Sequence, residues 1–379
     1  MTEPFKNLLN TPLVQASAAH WVRAWPAFDS RRFIQLASGG LENLEMKARA
    51  MQICAALQAT LPADFDAAAC VIEATLAPAE TGEAMAQLEG IEQGLRGWIL
   101  WPVGEFVARQ GLAQPQRALA VLHALTQRFT AEFAIRPFIT QHPELSYATL
   151  ARWASDPSAH VRRLVSEGSR PRLPWGLQLK HVIADPAPSW PLLQALQDDP
   201  SDCVRRSVAN HLNDIAKDHA DAVCVWVETH RPNATPERHS LLRHASRTLV
   251  KAGHPRMLAA WGLGQAFRGQ VDLQLAPHTL HIGQSLVLHV HLQSSATKAQ
   301  TLLIDYVVHH RKANGRSTPK VFKGWTITLA ARASVSLEKR HSMREITTRK
   351  YHPGLHTVRV QINGSSLASA DFVLLAAGA

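Results

Sequence analysis

DPSAHVRRLVSEGSRPRLPW (156–175) and DPSDCVRRSVANHLND (199–214) open on one Asp-Pro-Ser-x-x-Val-Arg-Arg signature, and the two copies stand 43 residues apart. The same interval relates Pro143, Tyr147 and Leu150 to Pro186, Trp190 and Leu193. A repeat of about 40 to 47 residues, each a pair of helices, is the period of a HEAT-like solenoid. In each copy Asp or Ser is placed to cap a helix, and the proline suits its first turn. Each helix then carries an arginine pair, Arg162 and Arg163, then Arg205 and Arg206. Arginine at one place in successive repeats predicts a basic stripe, which suits a polyanion.

Upstream, residues 1–45 read as a helical cap, broken by Pro26 and Gly39-Gly40. Apolar spacing of three to four then predicts helices over Leu41–Leu61, Phe65–Leu76, Glu83–Leu95, Gly97–Ala108 and Pro115–Leu125. EFAIRPFI (132–139) follows, with Glu132 and Arg136 four apart and so stacked on a helix. A carboxylate among Phe129, Phe133, Ile135 and Phe138 either pairs with Arg136 or does chemistry.

Glu167 lies four residues after Arg163, and Gly168 ends or bends that helix. The loop beyond it, bounded by Pro171 and Pro174, presents Arg170, Arg172 and Trp175 beside Glu167 and reads as a binding site. The plainer alternative is a tryptophan packed under a loop with a solvated arginine rim. In the second copy Arg206, Asn210 and Asp214 recur every four residues, lining a face for solvent or for ligand. RHSLLRHASRTLVKAG (238–253) predicts a further basic helix, with Arg243, Arg247 and Lys251 in one row and Gly253 as its stop.

Charge follows the same partition. The chain has 379 residues and a formal charge of +10, distributed as −3 over 1–150, +5 over 151–268 and +8 over 269–379. Such a field attracts phosphate without sequence preference; a solvated basic surface is the competing account. Near Gln270 the apolar period changes to alternation. Runs at 286–292, 302–308, 324–329, 334–338, 355–362 and 371–375 predict an all-β sandwich, with Tyr351 as a corner residue. The fold class expected is thus mainly α, a HEAT-like solenoid over 1–268, followed by an all-β sandwich over 272–379.

Cys54, Cys70, Cys203 and Cys224 form no CxxC pair, so reduced structural thiols are expected. His289 and His291 share a strand face, with His309, His310 and His356 elsewhere, but no ligand spacing stands out; neither metal nor cofactor is expected. RKANGRSTPKVFK (311–323) reads as a mobile basic loop that either touches phosphate or only solubilises. The absence of a long apolar run and of a leader leads to a soluble, cytoplasmic expectation.

Taken together, EPFKNLL (3–9), EFAIRPF (132–138), VRRLVSEGSRPRLPW (161–175), VRRSVANHLNDI (204–215) and RHASRTL (243–249) closely resemble AlkC-type alkylpurine DNA glycosylases. The likeness extends over the whole chain, the β-rich end resembling that family's immunoglobulin-like module. It implies a monomer without cofactor that excises N3-methylated bases, such as 3-methyladenine and 3-methylcytosine, from double-stranded DNA in base excision repair, without extruding the base. It also implies roles for Glu132, Glu167, Asp214 and Trp175, all present. Asp214 is the expected neighbour of C1′ and the attacking water. Arg162, Arg163, Arg170, Arg172, Arg205, Arg206, Asn210, Arg243, Arg247 and Lys251 are the expected DNA contacts. With no lysine expected among the acids, a monofunctional hydrolase leaving an abasic site follows. Two other classes stay open: a non-catalytic HEAT-repeat DNA-binding scaffold, and a metal-dependent nuclease using the same acids.

Overall fold

The computed structural model describes residues 4–79, 90–346 and 349–377. In chain order its α-helices are α1 (Thr11–Ala24), α2 (Ser30–Ser38), α3 (Met46–Thr60), α4 (Phe65–Thr75), α5 (Leu100–Gln110) and α6 (Pro115–Thr126). Then come α7 (Arg136–Gln141), α8 (Pro143–Trp153), α9 (Ala159–Gly168), α10 (Lys180–Ala184), α11 (Trp190–Leu196) and α12 (Asp202–Ile215). Last are α13 (Ala220–His230), α14 (Pro236–Ala245), α15 (Arg247–Lys251) and α16 (Pro255–Ala260). One compact unit comprises Met1–His219 with Ala234–Ala245; the other comprises Ala220–Asn233 with Ser246–Ala379. None of the described helices is long and apolar enough to cross a membrane.

The first unit is an array of helix pairs, and the repeated signature shows how each pair is joined. Its helices begin after Ser158 and Ser201, so the prolines precede the caps instead of entering the first turn. Neither serine side chain caps; instead Asp156 and Asp199 accept the Ser158 and Ser201 amides at 2.8 and 2.9 Å, forming Asx turns. The first arginine of each pair then folds back on its own turn. Arg162 Nη1 donates to the carbonyls of Asp156 and Pro157, and Arg205 Nη1 donates to those of Asp199 and Pro200. One recurring guanidinium thus bonds two carbonyls of the turn that precedes its helix. Beyond the turn, Val161, Leu164 and Val165 of α9 and Val204, Val208 and Leu212 of α12 are buried at helical spacing.

Several expected helices differ in extent. Gly40, at φ +67°, leads into a 3₁₀ turn (Leu41–Asn43), and α3 starts only at Met46. Gly97–Ile99 is likewise a 3₁₀ turn ahead of α5. Residues 83–89 of the expected Glu83–Leu95 helix lie outside the described residues; 90–95 is not helical, and Leu95 bridges to Leu76. Residues 132–135 form a turn, with α7 beginning at Arg136, so Glu132 and Arg136 do not stack along one helix. The basic helix expected over 238–253 is interrupted at Ser246, which separates Arg243 on α14 from Arg247 and Lys251 on α15.

Among the described residues of the second unit, eight strands form two sheets: β1 (Gly269–Ala276), β2 (Thr279–His281), β3 (Ser285–Ser294), β4 (Gln300–Arg311), β5 (Ser317–Leu329), β6 (Ser334–Ser342), β7 (Gly354–Ile362) and β8 (Ser365–Leu375). The orders are β1-β3-β6 and β2-β8-β7-β4-β5, antiparallel except at β2-β8. Leu286, Leu288, Val290 and Leu292 of β3 alternate into a core shared with Ile304, Tyr306 and Val308 of β4 and Val358, Val360 and Ile362 of β7. Tyr351 is buried, its ring 5.5 Å from that of His310. The expected loop over 311–323 is largely strand: β4 and β5 form a hairpin turning through Lys312–Arg316, with Gly315 at φ +77°. β5, the outermost strand of its sheet, carries Pro319, Lys320 and Lys323.

Candidate active site

α9 and α12 pack together, and the ends of both carry carboxylates. Glu167 lies in the last turn of α9 at 7% exposure, and Asp214 in the last turn of α12 at 2%. Arg170, just beyond α9, stands between them. Its Nη1 donates to Glu167 Oε1 at 2.6 Å, and its Nε donates to Asp214 Oδ2 at 2.8 Å. Each acid has a second donor: Ser207 Oγ gives Glu167 Oε2 a hydrogen bond of 2.6 Å, and Lys217 Nζ lies 2.8 Å from Asp214 Oδ1. Burial disfavours the Arg170 charge, yet Glu167 and Asp214 outweigh it and hold the guanidinium above its ordinary pKa.

Glu132, in the turn before α7, pairs not with Arg136 but with Arg163 of α9, at 2.9 Å, and accepts from Thr130 Oγ1 at 2.6 Å. Burial opposes the Arg163 charge, but Glu132 and then Glu167 raise its pKa. Arg136 turns the other way. Its guanidinium is fully buried and donates to the carbonyls of Leu177, Gly168 (2.8 Å) and Pro171 (3.5 Å). Burial, followed by Arg170, brings its pKa down to about 10 against the pull of Asp214. His211 of α12 is buried between Ser166 O and Ser189 Oγ, at 3.0 and 3.1 Å. Desolvation and Arg170 lower its pKa to about 3, leaving it neutral.

Trp175 is 62% exposed. Its φ of +64° lies in the left-handed region, a strained place for a bulky residue. The indole runs parallel to that of Trp101, at 3° and 6.4 Å between centroids, and Phe5 stands 6.4 Å away. Lys47 Nζ donates to the Trp175 carbonyl at 3.1 Å. A groove of about 550 Å³ beside the ring is lined by Phe5, Lys6, Glu45, Met46 and Lys47.

The other expected contacts fall into groups. Arg162 and Arg205 hold their own turns, Arg162 also pairing with Asp199 at 2.6 and 3.0 Å. Arg172 forks onto Asp218, with both distances 2.8 Å. Arg206 is exposed and, among the described residues, pairs with exposed Asp202. Asn210 bonds His244 at 3.0 Å. Arg243 is exposed on the first unit, whereas Arg247 and Lys251 belong to the second. The expected row is therefore divided. So is the face Arg206–Asn210–Asp214, which runs from exposed to buried.

Sequence reasoning missed Ser207, Lys217 and the role of Arg136. The expectation that no lysine stands among the acids fails at Lys217, which an i, i+3 check from Asp214 would have found. Among the described residues one group of metal-ligand type, Asp221, Cys224 and His254, lies in the second unit, with Arg256 Nη1 3.8 Å from Asp221. His310, His341 and His356 are also buried there, inside the sandwich.

Comparison with known proteins places this geometry among relatives. Residues 270–376 match the family described as the C-terminal Ig-like domain of uncharacterised protein YhaZ. The uncharacterised protein YhaZ of Bacillus subtilis (strain 168) is 35% identical over 373 residues, covering 97% of this chain and 98% of that protein. The structure of Pseudomonas fluorescens alkylpurine DNA glycosylase AlkC, bound to DNA containing an abasic site analog, superposes with a TM-score of 0.88. Sequence identity is 34%, over 98% of this chain and all of that one.

Proposed function

Since this chain belongs to the AlkC-type family of alkylpurine DNA glycosylases, we propose that it hydrolyses the N-glycosidic bond of cationic N3-methylated bases, 3-methyladenine and 3-methylcytosine, in double-stranded DNA. It does so without drawing the base into a pocket and leaves an abasic site. The observation that carries this reading is the Arg170 guanidinium held between two buried carboxylates, Glu167 and Asp214. A relative bound to abasic-site DNA supports the choice of partner.

Methylation at a ring nitrogen makes the base a good leaving group, so no acid need protonate it. The sugar becomes a cation like an oxocarbenium ion as the bond breaks, and fixed anions beside it lower that barrier. Arg170 bonds both acids and holds them aimed, so little reorganisation is left for the reaction. Asp214 offers about four lone-pair sites, of which Arg170 and Lys217 take only part. A remaining site on Oδ1 accepts the attacking water and then its proton. Glu167 and Glu132 add negative potential, and the exposed Trp175 presents a π face to the cationic base. In this reading Lys217 holds the Asp214 carboxylate, at 2.8 Å, instead of attacking the abasic aldehyde, and the enzyme acts as a monofunctional hydrolase.

Phosphate contacts in this reading come from the exposed cations of the first unit, chiefly Arg206 and Arg243. The test is incubation with DNA methylated by a chemical agent, in EDTA, with chromatography of released bases. Free 3-methyladenine and 3-methylcytosine, followed by alkali-labile breaks, is the expected result. Strand cleavage that needs Mg²⁺, or binding without base release, overturns it.

A further inference from the structure

We infer that Arg136 is a positioning residue for this site: its buried guanidinium fixes the loop over 168–177 and so sets Arg170 and Trp175. The inference rests on the glycosylase reading above. Arg136 has no salt bridge among the described residues; Asp214 and Glu167 act on it only at longer range. A buried cation satisfied by carbonyls alone is expensive, and an apolar side chain would fill the start of α7 at less cost. What the guanidinium provides is a rigid fork with donors in several directions. Those donors go to Gly168 at the start of the loop, Pro171 within it and Leu177 beyond it.

The loop needs such a tie. Pro171 and Pro174 have no N–H, and beyond the Arg170 N to Glu167 O bond (3.4 Å) its backbone closes through Gly176 N to Leu173 O and Leu179 N to Pro171 O, each 3.1 Å. It must also hold Trp175 at positive φ, a conformation that persists only where the surroundings impose it. Glycine at 168 permits the approach: a Cβ there would lie 2.6 Å from Ile135 Cγ2, next to Arg136 in the chain. The turn at 132–135 thus sends its flanking charges apart. Glu132 goes to Arg163, while Arg136 reaches under the loop that carries Arg170. A buried guanidinium bonded to loop carbonyls, and to no carboxylate among the described residues, therefore governs Arg170 and Trp175.

The test uses Arg136→Lys, which keeps the charge and loses the fork, with Arg136→Ala and Gly168→Ala beside it. Wild-type release of 3-methyladenine is measured first; if there is none, the glycosylase reading fails and this inference falls with it. Given wild-type activity, Arg136→Lys is expected to lower kcat by about 10²-fold, the loss a small misplacement produces. Kd for abasic-analogue DNA should stay within a few-fold. Guanidinium ion is expected to restore base release in Arg136→Ala, where equal ionic strength from NaCl does not. Should the Arg136 variants fail to fold, Gly168→Ala displaces the same carbonyl and is expected to show the same split between kcat and Kd. Unchanged kcat in the folded variants, or a loss that merely follows the unfolded fraction without guanidinium rescue, overturns the inference.

Discussion

Arg162 reaches across one repeat to Asp199 of the next, through two hydrogen bonds of 2.6 and 3.0 Å, while its third nitrogen closes its own Asp-Pro-Ser turn. Asp199 in turn anchors the turn that opens α12. A single ion pair therefore couples the start of α9 to the start of α12, the two helices that present Glu167 and Asp214.

Breaking that couple destabilises the array. Arg162→Ala leaves a buried carboxylate unpaired and is expected to cost about 3 kcal/mol, read as a lower midpoint in urea. Any surviving folded fraction should bind DNA with an unchanged salt slope. A lower slope with stability intact would mean that Arg162 faces phosphate.

Asp214→Asn keeps the shape and removes the charge. Base release is expected to fall by about 10²-fold or more, with binding to abasic-analogue DNA retained. Since the variant also weakens the tie to Arg170, thermal unfolding should be recorded alongside. Full turnover in a stable Asp214→Asn protein removes the catalytic assignment.

Arg206 makes the opposite case from Arg162. Its pair with Asp202 is solvent-exposed and worth about 0–1 kcal/mol. Arg206→Ala is therefore expected to leave the unfolding midpoint nearly unchanged and to weaken DNA binding for every sequence alike. The slope of log K against log salt should fall by about one. Binding equal to wild type at all salt concentrations would exclude Arg206 from the interface.

The sandwich is expected to lose stability in acid. Desolvation, then Arg349, lowers His310 to about 3 and His341 to about 4; desolvation also lowers His356. All three are neutral when folded, whereas the unfolded chain takes up protons near pH 6.5. Unfolded protein then binds more protons, so stability rises with pH, is complete above about 6.5 and is lost as pH falls below it. Each histidine contributes up to about 1.4 kcal/mol per pH unit in that window. Urea melts of the second unit at successive pH values check the trend; a flat profile from pH 7 down to 5 would contradict it.

Much of the fold is legible because it rests on periods. The 43-residue offset and the buried Val161–Leu164–Val165 and Val204–Val208–Leu212 spacings mark the repeat, and alternation in LVLHVHL marks β3. Strand β1 was less legible, since GQVDLQLA buries only Leu273 and Leu275. Arginine partners were the least legible part of the site. A guanidinium on a long stem reaches a partner 37 residues away as readily as one four residues away, as Arg162 does. Glu132 and Arg136 failed as a pair for a local reason, because the chain turns between them before α7 begins. Lys217 needed only the last turn of α12 to be followed three residues further.

The outermost position of β5 has a consequence for the protein in solution. An unpaired strand edge is a template onto which a second copy can add. Here Pro319 withdraws one donor from that strand, and Lys320 and Lys323 give two approaching copies like charge. Self-association through this edge is thus opposed electrostatically, and the guard thins as salt shortens the reach of those charges. Crowding and high ionic strength together are therefore the conditions expected to favour pairing of two copies through this edge.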